Sequence, residues 1–213
     1  MPEPLVIIGC GGHGREIYGI VQDINAAHGD PWKILGFVDD SPSEVNKRRL
    51  ANLGAPLLGS VAALSSLPSG SRYIIGIGAP RIRATVAEKV EPFGLQAARL
   101  VHPSATIGIS CEVDKGVVLF SGARVTTNVR LGRHVHLNQN ATVGHDSALA
   151  DFVSVNPLAA VSGDCRIEDS ALIGTTAAVL QGLRVGAGAT VGAGACVVRD
   201  VPAAAVVKGV PAR

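Results

Sequence analysis

The 213-residue sequence contains no block of like charges, and its 19 basic and 17 acidic residues nearly cancel, leaving a formal charge of +2. That removes the electrostatic case for a nucleic-acid or acidic-membrane partner. Long apolar runs are also missing. The uncharged stretches of the C-terminal half are rich in Gly and Ala and fall short of the roughly 20 apolar residues that span a bilayer. The opening "MPEPLVIIGCGG" has a short apolar run with no basic region before it, which argues against a secretory leader and for a cytoplasmic chain. Four cysteines, Cys10, Cys111, Cys165 and Cys196, form no CxxC or Cys/His spacing. They are expected to be reduced thiols, with no metal among them.

What the sequence does contain is a period of six. From Ile107, every sixth residue through Val113, Leu119, Val125, Leu131, Leu137, Val143 and onward to Val197 is Ile, Leu or Val, sixteen in succession. The residue four places after each, from Cys111 to Ala195, is small or aliphatic except at Ser147. Each lies two residues before the next aliphatic, so the pair shares one side of a short strand. A helix would need a period of 3.6, which is absent. Short strands joined by regular corners bury nothing alone and must coil and stack. The hexads resemble those of the hexapeptide-repeat acyltransferases, a likeness that implies a left-handed parallel β-helix with three hexads, or 18 residues, per coil.

Before residue 100 the pattern changes to an alternation of strand and helix. Leu5–Gly9, Ile34–Val38 and Tyr73–Gly78 read as strands. Ile17, Ile20, Val21 and Ile24 recur at helical spacing, and Ile82, Val86 and Val90 mark a second helix after Pro80. The result is a small Rossmann-like α/β unit. Its first turn, "GCGGHG", matches G-x-G-x-x-G through Gly9, Gly11 and Gly14, with Gly12 and His13 between. Such a turn lets backbone N–H groups and a helix start approach a diphosphate. Asp39 and Asp40 follow the second strand, where a carboxylate holds ribose or base. The plain alternative is a tight turn with two solvated aspartates. The unit is half the size of a full dinucleotide domain, so one mononucleotide fits better than NAD. His13 either touches a ligand or caps the helix.

In the β-helix, His145 and Asp146 interrupt a run of small and aliphatic residues. His145 follows Val143 by two, a corner position whose side chain leaves the core. It is either a solvated corner or a base oriented by the neighbouring carboxylate. One coil on lies Gly163, and one coil on from Asn138 lies Asn156. Backbone N–H groups and carboxamides near a base suit acyl transfer, where an oxyanion develops. His134 and His136 are weaker candidates.

With "VIIGCGGHG", "GFVDD", "LNQNATVGHDSALADFVSVNP", "IGTTAAVLQGLRVGAGATVGAGACVVRDVP" and "KGVPAR" in place, the whole chain resembles the sialic-acid O-acetyltransferase and bacterial nucleotide-amino-sugar N-acetyltransferase family. The resemblance implies a nucleotide-sugar-binding domain over residues 1–102, a β-helix acetyltransferase domain over 103–201 and a tail over 202–213. It further implies a homotrimer with acetyl-CoA between subunits and no metal. Under it, His145 is the general base and Asp146 its partner. Asn138 is a substrate contact, and the nucleotide site comprises Gly9, Gly11, Gly12, His13, Gly14, Asp39 and Asp40. The Gly163 backbone donates to the thioester carbonyl, and Gly209, Val210, Pro211 and Ala212 meet the adenine end of coenzyme A. Some relatives carry a second histidine where this chain has Ser154, leaving acetyl contacts to Ser154 or the backbone. The expected activity is N-acetylation of a nucleotide-linked 4-amino-4,6-dideoxy sugar for glycan biosynthesis. Sialic acid O-acetylation and a non-catalytic trimeric scaffold are the alternatives.

Overall fold

Each hexad forms a two-residue strand and a corner, and successive coils pair in parallel at a shift of 18 residues, Leu119 with Leu137 and Leu137 with Val155. The computed structural model describes residues 1–213. Its C-terminal half is a left-handed β-helix with three walls. The first wall runs from Thr106–Ile107 to Cys196–Val197, the second from Glu112–Val113 to Arg184–Val185, and the third from Leu100–Val101 to Val206–Val207.

A second six-residue rhythm makes the corners. From Ser110 to Gly194 every sixth residue has positive φ, among them Gly116, Asn128, Asn140, Asp146 and Asp164. Gly, Asn and Asp adopt this left-handed conformation at the least steric cost, which is why they recur there.

Fourteen of the sixteen periodic aliphatics are buried. Ile107 and Val113 are the exceptions, because each lies on the terminal strand of its wall with no coil beneath it. Ser147, the polar member of the inward column, is 1% exposed. Its hydroxyl donates to the Ser162 carbonyl at 3.1 Å and accepts from the Cys165 N–H at 3.1 Å, so its burial leaves nothing unpaired.

The N-terminal unit comprises β1 (Glu3–Ile8), α1 (Gly12–His28), β2 (Trp32–Val38), α2 (Glu44–Asn52), β3 (Leu57–Gly59), β4 (Arg72–Ile75), α3 (Pro80–Val90) and β5 (Gln96–Ala97). Its sheet is all parallel in the order β3-β2-β1-β4-β5. Ile17, Ile20, Val21 and Ile24 of α1 are buried as their spacing predicts. The unit sits on the third wall, where Leu100, Val118 and Phe120 join Leu5, Ile7, Ile17 and Phe37 in one apolar cluster.

The helix expected after Pro80 is present as α3, and its buried face differs from the run of aliphatics that marks it. Ile82 is 57% exposed, and the buried residues of the helix are Pro80, Arg83 and Val90. Arg83 turns inward because the Ile77, His134 and Phe152 carbonyls have no other donor there. It donates to the carbonyls of Ile77, Gly78, His134, Phe152 and Val153 and to the Ser154 hydroxyl. Burial pulls its guanidinium down to about 9, still charged at neutral pH.

The prism extends beyond residues 103–201. It begins at Leu100, and Val201 bridges to Val185 while Thr190 pairs with Val206, so the last coil has 16 residues rather than 18.

Candidate active site

Two separate places carry chemistry. The first is a cavity of about 380 Å³ at the C-terminal ends of β1, β2 and β4, within the size range of small-molecule sites. Gly9, Gly11, Gly12, His13, Asp39 and Asp40 line it, with Ser41, Asn46, Gly76 and Gly78. The glycines of the turn divide the work. A Cβ on Gly11 would meet nothing within 4 Å, so the space above the start of α1 is open. Gly11 caps that helix with no side-chain hydrogen bond, leaving its first N–H groups facing the cavity mouth. Gly14 is different: a Cβ there would lie 2.0 Å from the Gly9 carbonyl oxygen. It permits α1 to cross the strands closely and does not line the cavity.

The two aspartates are already engaged. Asp39 accepts from the Cys10 N–H through one oxygen and the Ser41 N–H through the other, both at 2.9 Å. Burial raises its pKa, but those backbone donors outweigh burial and hold the carboxyl below its ordinary value. Asp39 therefore braces the glycine turn, whatever else it binds. Burial and Asp39 together push the Cys10 thiol up to about 11, so it is no nucleophile at neutral pH. Asp40 accepts from the Val61 N–H at 2.9 Å and lies 3.5 Å from the Lys89 ammonium.

His13 makes no cap. Its Nε2 lies 2.9 Å from His136 Nδ1, its Nδ1 is 3.7 Å from Glu16, and its ring packs 5.0 Å from Phe120. It thus lines the cavity while docking the α/β unit on the third wall. Beneath it, His134 and His136 are buried, and His134 Nδ1 and His136 Nε2 have no partner. Burial, reinforced by the Arg83 charge, lowers His134 to about 4 and His136 well below the usual imidazole range. Both are neutral.

The second place is the corner between the first and second walls. His145 Nδ1 and Asp146 Oδ2 are 2.7 Å apart, with both side chains about half exposed. The ring lies over Gly163, where a Cβ would come within 2.6 Å of His145 Cε1 and Nε2. Gly163 is therefore required for space, and its N–H donates to no acceptor in the chain. Nδ1–H donated to the carboxylate leaves the Nε2 lone pair free, the arrangement of an oriented base. The Asn128 carboxamide holds the other Asp146 oxygen at 2.6 Å, and Arg166 donates to the Asp146 backbone carbonyl at 2.7 Å. Asn128 and then His145 are the chief causes that hold the Asp146 carboxyl below its ordinary value. Beside this corner a groove of about 900 Å³ runs along the second wall, lined by Arg130, Arg166 and Arg184 with Glu112 and Glu168.

Other expected residues fall elsewhere. Ser154 is 1% exposed, and its hydroxyl accepts from Arg83 at 2.8 Å and donates to the Gly78 carbonyl at 3.0 Å. Its hydroxyl is spent in the seam between the domains. Asn138 is 6% exposed and donates to the Val155 carbonyl at 2.9 Å, on neither cavity's lining. Gly209, Val210 and Pro211 are exposed at the end of the prism, whereas Ala212 is buried in its core.

Sequence reasoning missed Asn46, which lines the cavity, Arg15, which it holds at 2.9 Å, and Asn128. Asn128 had a signal. It lies one coil before Asp146, as Gly163 lies one coil after His145.

Residues 4–90 match the PglD N-terminal domain family. No curated protein matches the chain. Among solved structures, a perosamine N-acetyltransferase from Caulobacter crescentus, in complex with CoA and GDP-perosamine, is 30% identical. That match covers 99% of this chain and 95% of that one, with a TM-score of 0.89. The acetyltransferase domain of PglB from Neisseria gonorrhoeae, in complex with acetyl coenzyme A, is 35% identical over 100% and 99% of the two chains, with a TM-score of 0.86. WeeI from Acinetobacter baumannii is 29% identical over 99% of each, with a TM-score of 0.86.

Proposed function

The chain belongs to the nucleotide-amino-sugar N-acetyltransferase family of hexapeptide-repeat acyltransferases, and on that premise we propose that it acetylates the C4 amine of a nucleotide-linked 4-amino-4,6-dideoxy sugar. It is an acetyltransferase, and acetyl-CoA is its donor. The glycine cavity takes the nucleotide, its diphosphate directed at the N–H groups that open α1. His145 is the general base. The observation that carries this reading is its ring, tied through Nδ1 to Asp146 at 2.7 Å and laid over the bare Cα of Gly163.

In the proposed reaction the sugar amine attacks the thioester carbonyl. The C–N bond forms, and His145 Nε2 removes the amine proton. The Gly163 N–H faces the developing oxyanion. Collapse breaks the C–S bond, and the imidazolium returns its proton to the departing thiolate. No covalent enzyme intermediate is required.

No residue of the His145 corner lines the glycine cavity. This separation supports a homotrimer in which the cavity of one copy and the imidazole of another share a substrate. No helix is long and apolar enough to cross a membrane, and we place the reaction in the cytoplasm.

The test is turnover with acetyl-CoA on nucleotide-linked 4-amino sugars beside free sialic acid. N-acetylation of the former, falling at least ~100-fold in His145→Asn, is expected. Turnover on sialic acid alone would replace the substrate assignment, and an undiminished His145→Asn would remove the base. Mixing that variant with a cavity-blocked Gly11→Trp variant is expected to restore activity if two copies build each site.

A further inference from the structure

The corner between the first and second walls carries a residue that the reaction as described does not use. We infer that Asn128 is a positioning residue for the catalytic pair, fixing the plane of the Asp146 carboxylate so that its other oxygen meets His145 Nδ1. The inference rests on the reading of His145 as the base.

Three observations carry it. Asn128 Nδ2 donates to Asp146 Oδ1 at 2.6 Å while His145 Nδ1 meets Asp146 Oδ2 at 2.7 Å, so each carboxylate oxygen has one directed partner. Both Asn128 (φ 55°) and Asp146 (φ 61°) occupy the left-handed corner position of successive coils. The two side chains therefore leave the prism in parallel. The Asp146 N–H donates to the Thr127 carbonyl at 3.1 Å, locking the two corners together through the backbone as well.

The Asp146 side chain is 49% exposed. Nothing packs against it tightly enough to choose its rotamer, so directed hydrogen bonds must. The other charged groups at this corner act differently: Arg166 holds the Asp146 backbone carbonyl and lies 3.5 Å from Asp164. Asn128 alone reaches the second carboxylate oxygen. A carboxamide suits this place because it donates without adding charge. A carboxylate there would repel Asp146, and an alkyl group would leave it to swing.

Two variants and two readouts test this. In Asn128→Ala, kcat is expected to fall about tenfold with the KM for acetyl-CoA unchanged, a fraction of the roughly 100-fold carried by the base itself. Long-range ¹H–¹⁵N spectra of the imidazole should show a smaller share of the Nδ1–H tautomer. Asn128→Asp places a second carboxylate beside the first. The added negative charge favours the imidazolium, so the His145 titration and the acid limb of the kcat/KM profile should both move to higher pH. A purely structural corner would leave the tautomer share in Asn128→Ala unchanged.

An Asn128→Ala enzyme with kcat within twofold of the parent, or an Asn128→Asp enzyme with an unmoved His145 titration, would overturn the inference. The NMR readout needs no turnover. If His145→Asn keeps full activity while the titration still moves in Asn128→Asp, the base assignment fails and the positioning contact stands.

Discussion

His136 and His145 lie nine residues apart on the same prism and meet opposite fates. His136 belongs to a strand of the third wall and points outward, where α1 and the α/β unit cover it completely. His145 occupies a corner between the other two walls, where nothing in the chain covers it. Burial holds the first neutral and locks it to His13 at 2.9 Å. The second keeps solvent access, a carboxylate partner and a free ring nitrogen. The same residue type becomes mortar in one place and a reactive group in the other. What decides is the wall it lands on and whether a second domain lies over that wall.

The contrast can be broken from the seam side first. Arg83→Met removes the donor for five carbonyls and the Ser154 hydroxyl, all at the junction of α3, the β4–α3 loop and the third wall. Unfolding by urea should show a loss of about 3 kcal/mol or more, since the Ile77, His134 and Phe152 carbonyls would be left with no donor and buried acceptors so left carry a penalty. A loss below ~1 kcal/mol would mean that the seam is passive. Gly163→Ala tests the corner. The new Cβ would contact the imidazole at 2.6 Å, displacing the ring, and kcat should drop about tenfold with little change in unfolding free energy. Equal damage to stability would erase the distinction between the two regions.

The smallest effect is a pH dependence. The folded His134 pKa, about 4, lies below the ordinary value near 6.5. The unfolded chain therefore binds a proton that the folded chain refuses. The stability contribution is complete above about pH 6.5 and drains away as the pH falls towards 4. Melting temperatures across that window should decline, and His134→Asn, which keeps a residue suited to the left-handed backbone, should flatten the decline. An unchanged slope would mean that other groups carry it.

Much of this was legible because a stacked coil is nearly one-dimensional. The sixteen aliphatics from Ile107 to Val197 mark every wall, and an 18-residue step places Gly163 over His145. The same step taken backwards from Asp146 reaches Asn128. What stayed illegible lies where the two domains meet, since no local period records a contact between distant segments. Ser154 and Arg83 are 71 residues apart, and neither hints at the other. Helical spacing marks α3 through Ile82, Val86 and Val90, but it does not show that the neighbouring Arg83 is the residue turned inward, drawn by carbonyls of distant segments such as His134 and Phe152. Asp39 looked free for a ribose because the sequence does not reveal that the Cys10 and Ser41 amides claim its oxygens.

The shortened final coil has a consequence for assembly. A ladder of identical rungs would present its last rung as a template, inviting another molecule to dock end-on and grow a filament. After Val206–Val207 the chain instead folds back, with Lys208 and Arg213 exchanging backbone hydrogen bonds and Ala212 donating to the Cys196 carbonyl at 2.8 Å. The two missing residues spoil the match to any incoming coil, and the returning segment lies across the gap as a lid.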